Sequence, residues 1–148
     1  MGEQEIFNGL IATYRELNTK VRPLPEERLT LGGSGESVRD VVLQMRDQEL
    51  FFSQALKDRL TGSGGAVRES AKELGVEIPS PDDTTVEVIS QFGIARESTL
   101  AMLRGMPPEG WDDPAQGETV RAAAEELVQN DGKHLEQIVR LLGSPSAN

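Results

Sequence analysis

The sequence predicts an all-α protein built as a four-helix bundle, and three observations support this fold class. Four long segments repeat apolar residues at the spacing of one helix face. Capping residues, glycines or prolines bound each segment, and no segment reads convincingly as a strand. The 148 residues, 36% hydrophobic and 27% charged, suit a single globular domain with a real core. We therefore expect one domain over residues 1–148, with residues 143–148 as a frayed tail.

The first two long helices are defined by their faces and their ends. Residues 3–21 repeat apolar side chains with helical period, and Pro23 with Pro25 ends this helix. The second helix begins at Ser37, with Asp40 three residues later in a variant capping box, and ends at Gly62. Its apolar face consists of Val38, Val41, Met45, Phe52, Leu56 and Leu60.

The second half of the chain predicts one short and two long helices. Residues 66–74 are expected to form the short helix. Thr84 and Glu87 make a capping box for a helix over residues 85–104, and residues 118–142 form the last helix. The crossover between these two helices carries Trp111, which we expect to pack at one end of the bundle.

Two polar residues interrupt the apolar face of the last helix. Asn130 and His134 lie four residues apart on a stripe whose other members are Ala123, Leu127, Ile138 and Leu141. A buried polar pair costs free energy unless it finds partners, so it is either satisfied structurally or kept for function. Nearby Asp131 and Asp47 are interpreted as solvated surface charges, and Arg96 as part of a surface ion pair.

Charge and composition exclude several functions. The net charge is −10, which disfavours binding to nucleic acids and to anionic membranes. The chain has no cysteine, so disulfides, thiol nucleophiles and thiolate zinc sites are excluded. We expect no signal peptide, because residues 1–5 are acidic and polar, and no run of about 18 apolar residues is present. We expect a cytoplasmic protein.

Two stretches carry a resemblance to a known family. Residues 37–49 read Ser-Val-Arg-Asp-Val-Val-Leu-Gln-Met-Arg-Asp-Gln-Glu, and residues 130–138 read Asn-Asp-Gly-Lys-His-Leu-Glu-Gln-Ile. In this order, with Trp111 before the last helix, the chain resembles the DinB-like family over nearly its whole length. Relatives in that family include thiol-dependent transferases and the metal-binding domain of mycothiol-dependent maleylpyruvate isomerase. The resemblance implies a DinB-like bundle topology.

The family pattern has three histidines that bind a divalent metal inside the bundle, and this chain departs from it. The family shows Ser-Val-x-Glu-x-x-x-His in the second helix and His-x-x-x-His-x-x-Gln-Ile in the last. Gln44 and Asn130 stand where two of the histidines are expected, so His134 is the one retained ligand. Neutral amides are poor ligands for nickel or zinc, so we expect a degenerate site with no cofactor, or at most a weakly held divalent cation.

Three hypotheses about function remain open. The first is a non-catalytic or small-ligand-binding protein whose pocket lies between the second and last long helices, floored by Gln44, Asn130 and His134. The second is a transferase or isomerase that depends on a metal or a low-molecular-weight thiol, with His134 as acid or base. The third is a homodimeric structural or interaction protein. The expected partners are a second copy and a small polar or thiol ligand.

Overall fold

The computed structural model describes residues 1–32, 35–61, 82–114 and 118–143. Within these ranges every regular element is helical, which confirms the predicted all-α bundle. The elements in chain order are α1 (Glu3–Glu16) with a π-helical extension (Leu17–Val21), α2 (Glu26–Leu29), α3 (Val38–Thr61), α4 (Thr85–Gly105), a 3-10 turn (Pro108–Asp112) and α5 (Val120–Leu142).

The long helices begin where the sequence predicts because local side chains satisfy their first N–H groups. At the start of α3 the backbone N–H of Ser37 donates to Asp40 Oδ2 at 3.0 Å, and that of Asp40 donates to Ser37 Oγ at 3.2 Å. Thr84 and Glu87 form the predicted capping box of α4. The hydroxyl of Thr119 caps α5, slightly later than predicted.

Some short elements differ from the prediction or lie outside it. Helix α2 and the 3-10 turn were not expected, because each is too short to show a hydrophobic period. The predicted helix over residues 66–74 lies outside the described residues. So does the predicted frayed tail beyond Gly143.

The four long helices pack as two pairs of parallel neighbours. Helix α1 lies against α5, and α3 lies against α4, with further contacts between α3 and α5. One core cluster gathers the end of α1, the starts of α3 and α4, and the end of α5. The other cluster gathers the opposite ends of the same helices. Therefore α1 and α5 run in one direction, and α3 and α4 run in the other.

A layer of polar side chains separates the two apolar clusters at the middle of the bundle. Each long helix contributes to it between its own core residues. The buried members of this polar layer are Thr13 of α1, Glu49 and Ser53 of α3, Arg96 and Thr99 of α4, and Asp131 of α5. The core of the bundle is thus apolar at both ends and polar at its centre. Each buried polar group at the centre therefore needs a hydrogen-bond or ion-pair partner.

Trp111 closes one end of the bundle, as predicted. Its side chain is 2% exposed and lies in the core cluster with Val120 and Leu127. Phe7 meets it edge-on, with 5.8 Å between the ring centroids. No helix in the described part of the chain is long and apolar enough to cross a membrane.

Candidate functional site

A groove of about 420 Å³ lies between α3 and α5. Its volume falls within the range of small-molecule sites, about 300–1,000 Å³. Apolar side chains form most of its wall, and polar or charged groups border them. The lining residues are Gln48, Phe51, Phe52, Ala55, Leu56 and Arg59 of α3, then Glu118, and Val120, Ala123, Glu126, Leu127 and Asn130 of α5. These are the two helices between which the sequence analysis expects a pocket.

The three predicted site residues take different positions around this groove. Asn130 is half-buried and lines it. Gln44 is exposed on α3, outside the lining, and its amide nitrogen donates to Glu36 Oε2. His134 is half-buried on α5 and is also outside the lining. No hydrogen bond joins these three side chains in the described ranges, so their action as one floor stays a prediction.

The buried face of α5 is displaced by about one residue from the apolar stripe that the sequence predicts. Its centre passes through Ala124, Leu127, Asp131 and Ile138, while Asn130 and His134 lie at its edge. The interpretation of Asp131 as a solvated surface charge is therefore wrong, because this side chain turns into the polar layer. Asp47, by contrast, is exposed as expected.

Arg96 forms the centre of the polar layer, so its assignment to a surface ion pair is also wrong. It is 1% exposed, and its guanidinium donates to Glu49 Oε1 at 2.7 Å. It also donates to Asp131 Oδ2 at 2.9 Å and Oδ1 at 3.2 Å, and to the carbonyl of Leu10 at 2.8 Å. Thr13 donates to Asp131 Oδ2 at 2.7 Å. One guanidinium thus connects all four long helices.

The electrostatics of this buried cluster keep Arg96 charged. Burial lowers the pKa of a guanidinium, but the charges of Glu49 and Asp131 outweigh burial, and the pKa of Arg96 is raised. The guanidinium carbon of Arg96 lies over the ring of Phe92, 4.8 Å from the ring centroid. Glu49 Oε2 and Arg96 Nε are buried without a hydrogen-bond partner among the described residues. We call Glu49, Arg96 and Asp131 the buried ionic triad.

The surroundings of His134 favour its neutral form. Burial lowers its pKa below the ordinary value, and the negative charges of Asp131 and Glu36 oppose this effect without cancelling it. Its Nδ1 atom is buried and has no hydrogen-bond partner within the part of the chain described. The same Glu36 accepts from the amides of Gln44 and Gln137, so an acidic side chain connects α3 to α5 here.

These residues do not fit a transition-metal site. The Gln44 amide is engaged by Glu36, Asn130 offers only an amide, and His134 supplies a single imidazole. In the described ranges no group of three or more His, Asp or Glu side chains is arranged to hold a metal ion. The geometry instead offers an apolar groove with neutral amides at one end.

No family model, curated protein or solved structure matches this chain. The site therefore has to be interpreted from its own residues. Sequence reasoning missed the triad, although a signal was present. Arg96 stands four residues after Phe92 and four before Leu100, in the centre of an apolar stripe. A charge in that position is buried unless the helix rotates away from the core.

Proposed function

We propose that this protein is a small-ligand-binding four-helix bundle of the DinB-like type that works without the metal of that family. The groove between α3 and α5 is the observation that carries the proposal. Phe51, Phe52 and Ala55 line the groove with side chains that are exposed or half-buried, and they provide apolar area that an occupant would remove from water. Such burial contributes about 25 cal/mol for each Å² of apolar surface.

The polar end of the groove gives an occupant its orientation. Gln48 and Asn130 both line it, one from each helix. Their amides carry donors and acceptors but no charge, which suits a small polar substituent. In each helix the next residue, Glu49 or Asp131, belongs to the buried ionic triad. The triad therefore holds the two groove-forming helices at a fixed separation, which supports a preformed site.

Filling the groove tests this function directly. The uncharged probe naphthylethanol should bind the native chain in calorimetry and shift the amide resonances of groove residues. Ala123→Leu places extra carbons in the groove and should weaken this binding about tenfold or more. The matched control is Ala101→Leu, an exposed alanine of α4 that does not line the groove. Binding that survives Ala123→Leu unchanged would contradict the proposal.

The DinB-like relationship has its own test, which uses metal affinity. The double variant Gln44→His with Asn130→His restores the family's ligand pattern around His134. Without an affinity tag, only this variant should be stabilised by nickel or zinc, because binding to the folded state raises the melting temperature. Stoichiometric metal in the native chain would instead favour the enzyme hypothesis. If neither metal raises the melting temperature of the double variant, the result would contradict the DinB-like relationship.

The predicted homodimer is a second candidate, and Phe51 is the observation that favours it. This side chain is 68% exposed at the edge of the groove, where a second copy could cover it. Light scattering at micromolar concentration should then give the mass of two chains for the native protein and of one chain for Phe51→Ala. A native monomer would remove this candidate and leave the groove open to a ligand.

A further inference from the structure

We infer that the ligand of the groove is an organic cation, an amine or quaternary ammonium on an apolar or aromatic body. This inference rests on the proposed function and adds the chemical class of the ligand. It is carried by the charges that border the groove together with its aromatic wall. Of the residues that line the groove, two are acidic, Glu118 and Glu126, and one is basic, Arg59.

Two of the five N–H groups of Arg59 are already engaged by the backbone. Its two terminal nitrogens donate to backbone carbonyls, at 2.5 Å to Glu118 and at 2.7 Å to Asp113. The paired hydrogen bonds that a guanidinium forms with a carboxylate use at least one of these terminal nitrogens, so an anionic ligand would have to share Arg59 with the backbone. Arg59 thus joins the end of α3 to the segment before α5 and shapes the groove.

The two acidic side chains, by contrast, face the groove without a protein partner. Glu118 and Glu126 are both exposed, and neither carboxylate accepts a hydrogen bond or forms an ion pair within the described part of the chain. Both lie on the α5 side of the groove, Glu118 just before the helix and Glu126 about two turns into it, so an ammonium group at this rim would find a carboxylate at either position. The overall charge of −10 adds a field that attracts cations and repels anions.

The aromatic wall favours the same class of ligand. Phe51 and Phe52 both line the groove from α3. The face of a phenylalanine ring attracts a cation and also packs against an apolar body. An ammonium ion attached to an apolar group can therefore use the walls and the rim together, whereas a neutral molecule uses the walls alone.

A matched set of probes tests this inference. Naphthylethylamine, naphthylethanol and naphthylacetate share one ring system and carry a positive, a neutral and a negative group at neutral pH. Calorimetry on the full chain should show the amine binding about fivefold tighter than the alcohol, with the acetate weakest. The preference should shrink in about 1 M salt, because the rim is open to solvent.

Two charge-neutralising variants locate the effect. Glu126→Gln should reduce the preference for the amine over naphthylethanol. Glu136→Gln is the matched control, since it removes the same charge from an exposed position about 15 Å further along α5, outside the groove. A control variant that loses the preference equally would assign it to the general field and overturn the inference.

The outcomes separate this inference from the function on which it rests. Equal affinities for the amine and the alcohol, both reduced by Ala123→Leu, would overturn the cation preference and keep the groove as a ligand site. Failure of all three probes to bind at millimolar concentration would overturn both proposals. Tighter binding of the amine than of the alcohol, with a preference that is reduced in Glu126→Gln, supports both proposals.

Discussion

Replacing Arg96 by methionine should strongly destabilise the fold, because it leaves two carboxylates in the core without their cation. Glu49 is 0% exposed and Asp131 is 4% exposed, so water cannot take over the role of the guanidinium without opening the bundle. Methionine has a similar length and no charge. The variant therefore removes the ion pairs while it keeps most of the packing.

The magnitude follows from the number and burial of the interactions that are lost. The guanidinium donates four hydrogen bonds, three of them to carboxylate oxygens. Removing one partner of a buried ion pair costs about 3–5 kcal/mol, mostly because the remaining charge stays buried. This is a large part of the roughly 5–15 kcal/mol that stabilises an ordinary domain.

Urea unfolding followed by helical circular dichroism measures this cost. With a slope of about 2 kcal/mol per molar urea, a loss of about 4 kcal/mol lowers the midpoint by about 2 M. The melting temperature should fall by roughly 10–15 °C for a chain of this size.

A triple variant separates the cost of buried charge from the cost of lost packing. Glu49→Met, Arg96→Met and Asp131→Leu together replace the triad with apolar groups, and such replacements are often neutral or stabilising. The hydroxyl of Thr13 keeps a partner, since it also donates to the carbonyl of Gly9 at 3.0 Å. The triple variant should regain most of the stability. If it is as unstable as Arg96→Met alone, or if Arg96→Met costs under about 1 kcal/mol, the reasoning about the triad is wrong.

Two further predictions concern the stability of the bundle. Burial lowers the pKa of His134, so the stability that its neutral form contributes is complete above about pH 6.5 and is lost as the pH falls through the lowered pKa. The variant His134→Gln should flatten this part of the pH profile in urea unfolding, and an unchanged slope would contradict the assignment. A methyl group added at Gly93 would lie 2.5 Å from Tyr14 Cε1, so Gly93→Ala should lower the free energy of unfolding by about 1 kcal/mol net. A methyl group added at Gly132 would meet nothing within 4 Å, so Gly132→Ala should raise that free energy by about 0.5–1 kcal/mol. Equal melting temperatures for these two glycine variants would show that Tyr14 moves aside without cost.

The sequence by itself determined the helices and their class of fold. Apolar periodicity and capping residues act over a few neighbouring positions, so Ser37, Thr84 and the long apolar stripes could be interpreted without any tertiary information. The same local signals buried Trp111 at one end of the bundle, whereas the pocket between α3 and α5 was expected from the family resemblance. The resemblance also assigned Asn130 to that pocket, and Asn130 lines the groove in the structure.

Only the tertiary structure decided which charges are buried and which residues face the groove. Whether a residue at the edge of a stripe points inward depends on a rotation of the helix by less than one residue spacing, about 100°. That rotation is set by the helices packed against it. It turned Asp131 inward to meet Arg96, and it placed Gln48 in the groove while Gln44 stayed outside. A charge enters the core only where opposite charges from other helices meet it, and their meeting is a property of the packed bundle.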